Sequence, residues 1–136
     1  MISNEVDQWT VLIVDDEPDN LKVAQKVLSF GGADVHIARN GVEGLAVLEN
    51  LKPTFILLDL SMPEMDGWEM FERTRANDNF ADIPIIALTA HAMTGDRERI
   101  ESAGFDGYIA KPFRINSFMD DIQNAITAFN NRSQAN

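Results

Sequence analysis

The chain has 136 residues, 45% of them hydrophobic and 24% charged, with a formal net charge of -11. That length suits one domain burying about two-thirds of its unfolded surface, and the composition excludes disordered and fibrous classes. The acidic balance opposes phosphate backbones and anionic lipid, whose capture depends on lysine and arginine, so neither direct nucleic-acid binding nor membrane binding is expected.

Residues 1–8 read as a flexible lead-in. The run VLIV (11–14) is the first short apolar segment of strand type. Pro18, suited to a first turn, and Gly31-Gly32, suited to a stop, set a helix over about 18–30. VHIA (35–38) is a second strand, followed by a helix that starts near Asn40 and is ended by Pro53. FILL (55–58) is a third strand, and Asp66 with Glu69 has the spacing of a capping box opening a third helix. IIAL (85–88) precedes a fourth helix bracketed by Thr94 and Gly104, and YIA (108–110) is a fifth strand. Ile115, Phe118, Met119, Ile122, Ala125, Ile126 and Phe129 then follow the 3.6-residue repeat of a helix with one buried stripe. The closing NNRSQAN reads as a frayed tail, so the domain is placed over 9–130 with 1–8 and 131–136 flexible. No apolar run has the length of a signal peptide core or a membrane span, and a cytoplasmic location is expected. The initial Met and short tail suggest a stand-alone protein.

Five alternations of fully apolar strand and helix predict an α/β fold, a parallel sheet covered on both faces with right-handed crossovers. In such sheets ligands bind beyond the carboxyl ends of the strands. The sequence puts Asp15 and Asp16 after the first strand, Asp59 after the third, Thr89 after the fourth and Lys111 after the fifth, all at one sheet edge. Two carboxylates about 4 Å apart repel by about 4 kcal/mol at an effective dielectric near 20, so three converging ones need a cation. With no cysteine in the chain, the ligands must be oxygen, which favours Mg²⁺, with Mn²⁺ as a substitute. A carboxylate beside that metal can attack phosphorus to form an acyl phosphate. Asp59, ending the buried FILLD run, is the candidate nucleophile, with Lys111 as a point charge and Thr89 as a hydroxyl donor on the phosphoryl oxygens.

The set IVDDEP, LLDLSMPEMDGWE, ALTA and GYIAKPF, in that order at strand ends, resembles the receiver domain of bacterial two-component response regulators over about residues 10–129. The resemblance implies a doubly wound, flavodoxin-like sheet of order 2-1-3-4-5 with five helices. It also implies Asp59 as phosphoacceptor, Asp15 and Asp16 as the acidic pair, the backbone carbonyl of Ser61 in the Mg²⁺ shell, and Thr89 and Lys111 on the phosphoryl group. Tyr108 takes the place of the aromatic that turns inward when the Thr89 hydroxyl moves toward the phosphoryl, an approach that the small Ala90 leaves open. Positions Ser61 and His91 flank the phosphoryl and modulate its hydrolysis, and the Lys111-Pro112 bond is commonly cis. The implied donor is a histidine kinase or histidine phosphotransfer protein, and the implied target is a protein that reads the face made by helix four, strand five and helix five.

Plainer readings exist for each residue. The acidic pair suits a helix dipole, Asp59 a loop cap, Lys111 a solvated side chain, Thr89 a strand end and Tyr108 simple packing. A flavodoxin-type phosphate loop, a G-x-G-x-x-G turn and a P-loop are all missing, and Ser61 stands where a haloacid-dehalogenase phosphatase carries its second acid. The expectation is a phosphorylated signalling switch rather than an enzyme that turns over. The alternatives are a phosphorylation-independent interaction module, or a receiver excised from a larger hybrid kinase or regulator.

Overall fold

The apolar runs of the central strands must be covered on both faces, and the helices supply the cover. The computed structural model describes residues 2–62, 64–90 and 95–134. Its elements are β1 (Thr10–Val14), α1 (Pro18–Phe30), β2 (Asp34–Ala38), α2 (Gly41–Leu48), β3 (Phe55–Asp59), α3 (Gly67–Ala76), β4 (Ile85–Thr89), α4 (Asp96–Ala103), β5 (Gly107–Ala110) and α5 (Ile115–Gln134). The strands form one parallel sheet in the order β2-β1-β3-β4-β5. This is the doubly wound, flavodoxin-like arrangement with five helices that the motifs imply.

Side-chain alternation splits the strands between two cores. Val11, Ile13, Phe55, Leu57 and Leu88 pack with Leu21 and Leu28 of α1 and with Phe118, Ile122 and Ile126 of α5. Leu12, Val14, Ile56, Leu58 and Ile85 pack with Leu48 of α2, Met70 and Phe71 of α3 and Ile100 of α4. Every residue of β3 and β4 is buried, so the polar ends of these strands, Asp59 and Thr89, are carried inside with them.

Local signals set most boundaries. Asp66 Oδ1 accepts from Glu69 N–H at 2.9 Å, capping α3, but Glu69 directs its carboxylate to Arg73 at 3.0 Å, so only half of the capping box forms. Gly67 is required by contact: a Cβ there would lie 2.1 Å from the Asp59 carbonyl oxygen. Gly95 and Gly104, with φ of 102° and 98°, flank α4. Thr94, the expected start of that helix, lies outside the described residues. α2 stops at Leu48, five residues short of Pro53. The chain needs residues 49–54 to turn back into β3.

The termini depart from the expected frayed ends. Ile2 is buried; its N–H donates to Asn130 Oδ1 at 2.8 Å, and Asn130 Nδ2 donates to the Ile2 carbonyl at 2.8 Å. A 3₁₀ turn over Val6–Gln8 leads to Trp9. That side chain packs edge-on against Phe55 at 5.2 Å and donates to the Ser3 carbonyl at 2.7 Å. Helix α5 runs on to Gln134. The reason is spacing: Asn130 follows Ile122 and Ile126 at intervals of four, so the helix holds it on the buried stripe.

Replacing Asn130 by Ala leaves the Ile2 main chain buried without partners. Thermal melts followed by circular dichroism should show a loss of about 1–3 kcal/mol, with Asn131→Ala, on the exposed side, near wild type.

Candidate functional site

The site begins with two strand ends. Asp15, the residue after β1, and Asp59, the last of β3, are 0% and 2% exposed. Each is locked by the same local turn, in which Oδ1 accepts a backbone N–H two residues on. For Asp15 that donor is Glu17 N at 2.9 Å, and for Asp59 it is Ser61 N at 3.2 Å. The turns leave both Oδ2 atoms facing Lys111, whose Nζ lies 3.1 Å from that of Asp15 and 3.2 Å from that of Asp59. Neither Oδ2 has a hydrogen bond of proper geometry, so the contact is one of charge rather than of a directed bond. Glu17 Oε1 adds a third carboxylate at 3.4 Å. Lys111 is fixed from behind, its own N–H donating to the Thr89 carbonyl at 2.8 Å where β4 meets β5. The Lys111-Pro112 bond is cis.

This arrangement perturbs both charges. Burial pushes the Asp59 carboxyl up to about 7 and the Asp15 charge adds to the effect, against opposition from Lys111 and the Ser61 N–H. Burial pulls the Lys111 ammonium down, but the Asp15 and Asp59 carboxylates outweigh it and leave it raised.

Asp15, Asp16 and Glu17 place ligand atoms within 4.8 Å of one another, a spacing one cation can bridge. All donors are oxygen and two buried carboxylate oxygens lack hydrogen bonds, which fits a hard divalent ion such as Mg²⁺. A cavity of about 350 Å³ opens beside this cluster, bounded by Asp16, Asp59, Ser61, Thr89, Ala90 and Lys111.

Most of the residues singled out in the sequence therefore meet. Asp15, Asp16, Asp59, Thr89, Ala90, Lys111 and Ser61 lie in or against one cavity, with the Ser61 N–H tied to Asp59. Tyr108 lies elsewhere, on β5 opposite Ala87 and in a groove of about 700 Å³ between α4, β5 and α5, with the Arg97 guanidinium 5.8 Å from its ring centroid. His91 lies outside the described residues. Four participants carried no role in the sequence reading. Glu17 reaches Lys111, Asp96 accepts the Thr89 hydroxyl at 3.1 Å, and Trp68 and Arg99 line the cavity. Glu17 was visible as the third acid of DDE, whereas the other three depend on how α3 and α4 face the sheet.

The chain matches the response regulator receiver domain family over residues 11–123. The chain belongs to that family. This receiver is 36% identical over 114 residues to the polar-differentiation response regulator DivK of Brucella anthropi, covering 84% of this chain and 93% of that protein. It resembles the receiver domain of the sensor histidine kinase PA1611 of Pseudomonas aeruginosa, a structure with a magnesium ion coordinated in its active site cleft, at 34% identity and a TM-score of 0.76, covering 88% and 98% of the two chains. It also resembles the chemotaxis response regulator CheY4 of Vibrio cholerae, at 27% identity and a TM-score of 0.78, covering 85% and 97%. The receiver is thus a component of two-component signalling, a class that works with histidine kinases or phosphotransfer proteins and downstream targets rather than as an ordinary enzyme. No described helix is long and apolar enough to cross a membrane.

Because the folded Asp59 carboxyl titrates near 7 rather than 3.8, its proton stabilises the fold fully below the unfolded value, and that contribution is lost as pH rises through about 7. In metal-free buffer, Asp59→Asn should raise the urea midpoint at pH 8, and the gain should shrink toward pH 5. A pH-independent gain would contradict the assignment of that proton.

Proposed function

We propose that this receiver takes a phosphoryl group onto Asp59 Oδ2 from a phosphohistidine on a histidine kinase or histidine phosphotransfer protein, and signals by protein contact. The observation that carries this reading is the Asp59 carboxylate itself: Oδ1 is tied to Ser61 N–H while the buried Oδ2 faces Lys111 at 3.2 Å without a hydrogen bond of its own. In the transfer, Oδ2 forms a bond to phosphorus as the phosphorus–nitrogen bond breaks, and the electron pair leaves with the donor imidazole. Asp15, Asp16, Asp59 and the Ser61 carbonyl would hold Mg²⁺, or Mn²⁺ in its place, which when bound supplies charge neutralisation and a geometric clamp. The Lys111 ammonium then passes from the carboxylates to a phosphoryl oxygen.

The switch follows from competition for the Thr89 hydroxyl. That hydroxyl donates to Asp96 at the start of α4, and a phosphoryl on Asp59 offers a more highly charged acceptor. Thr89 moves toward it past Ala90, Tyr108 follows inward, and the face of α4, β5 and α5 changes for a downstream protein. Self-catalysed phosphorylation and hydrolysis need no further group, with Ser61 and His91 setting the lifetime. A cytoplasmic setting accords with such donors, and the net charge of -11 disfavours direct nucleic-acid contact.

Incubation with Mg²⁺ and acetyl phosphate, read by intact mass, should add one phosphoryl group that Asp59→Asn abolishes; labelling elsewhere, or none, would favour the phosphorylation-independent module. Millimolar Mg²⁺ alone should raise the melting temperature of the wild type by binding the folded form, and should do so far less in Asp16→Ala. Lys111→Ala should retain Mg²⁺ binding yet lose phosphorylation-dependent partner binding, measured by pull-down.

A further inference from the structure

Helix α4 brings a cation to the wall of the Asp59 cavity. The Arg99 guanidinium carbon sits 3.9 Å from the Trp68 ring centroid, and both residues line the same space as Asp59, Ser61 and Lys111. Trp68 is braced, meeting Phe105 edge-on at 5.5 Å, and Phe105 in turn stacks on Phe71 at 3.9 Å. Behind them, Arg75 covers Phe71 and pairs with Asp106 at 2.8 Å. Other arginines of α3 and α4 are engaged by carboxylates: Arg73 by Glu69, Arg97 by Glu101. Arg99 forms no salt bridge among the described residues, in a chain with 22 acidic and 11 basic side chains. Its charge is held on an aromatic face instead, which limits its rotamers and leaves the planar fork of N–H donors available.

Charge balance shows what that fork can do. Lys111 already faces Asp15, Glu17 and Asp59, and phosphorylation would replace the single negative charge of the Asp59 carboxylate by about two on the phosphoryl oxygens at neutral pH. Asp96, three residues before Arg99, presents another carboxylate to the same cavity. A guanidinium matches paired phosphoryl oxygens better than an ammonium does, because two parallel N–H groups can be shared between them.

We propose that Arg99, oriented by the Trp68 ring, is a second cationic contact for the phosphoryl group on Asp59. The proposal rests on the reading of Asp59 as phosphoacceptor. Beryllofluoride, an anionic mimic of the phosphoryl group, separates an anion contact from general damage when its binding is compared with that of Mg²⁺ alone, both by isothermal titration calorimetry.

Arg99→Ala should weaken beryllofluoride binding in the presence of saturating Mg²⁺ by about three- to tenfold, the range for one partly screened charge contact. Its affinity for Mg²⁺ alone should hold or tighten, because a repelling cation has gone. Arg99→Lys should fall between wild type and Arg99→Ala, and Trp68→Leu should follow Arg99→Ala. Unchanged beryllofluoride binding in Arg99→Ala, or equal weakening of both ligands, would overturn the role of Arg99 while leaving Asp59 as acceptor. Wild-type protein that neither binds beryllofluoride nor is labelled on Asp59 would overturn both readings together.

Discussion

One lysine ammonium shared among three carboxylates organises this molecule. Lys111 stands 3.1, 3.4 and 3.2 Å from Asp15, Glu17 and Asp59, and two of those acids are almost wholly removed from water. Carboxylates so placed are costly unless paired, and a single ammonium leaves the cluster negative. The sheet accepts that cost because β1 and β3 end side by side and β5 ends at the same sheet edge across β4, where buried strands can expose polar groups to a common space.

The same device appears at both strand ends. Asp15 and Asp59 each commit one oxygen to a backbone N–H two residues later and hold the other toward Lys111. Local turns thus orient side chains that meet only through tertiary structure. The first turn of α4 extends the arrangement outward: Asp96 receives the Thr89 hydroxyl and Arg97 lies over Tyr108. Consecutive residues of one helix thereby touch both side chains proposed to switch, a direct physical link between the cavity and the α4–β5–α5 groove.

Legibility in the sequence followed the range of the interactions. α1 ran over the expected residues because Pro18 and the paired glycines act locally, and the fully apolar strands announced a two-faced sheet. Asp59 and Lys111 were legible because a charged residue directly after a buried strand has few places to go. The sheet order came by family likeness, since no local pattern encodes which strands neighbour. The ordered termini escaped notice: Ile2 and Asn130 are far apart in sequence and look like tail residues until α5 carries Asn130 onto its buried stripe. Trp68 and Arg99 escaped for a similar reason, being ordinary surface letters until α3 and α4 pack side by side.

By itself, the sequence determined an α/β chain of five strand–helix units with acids and a lysine at the strand ends, because strand burial, helix capping and turn chemistry are decided within a few residues. Only the tertiary structure decided that Lys111 answers Asp15, Glu17 and Asp59 at once, that Asp96 receives Thr89, and that Arg99 rests on Trp68. All but the Thr89–Asp96 contact, which spans seven positions, join residues tens of positions apart, and the geometry of every one depends on how whole helices seat against the sheet, which no short stretch of sequence specifies.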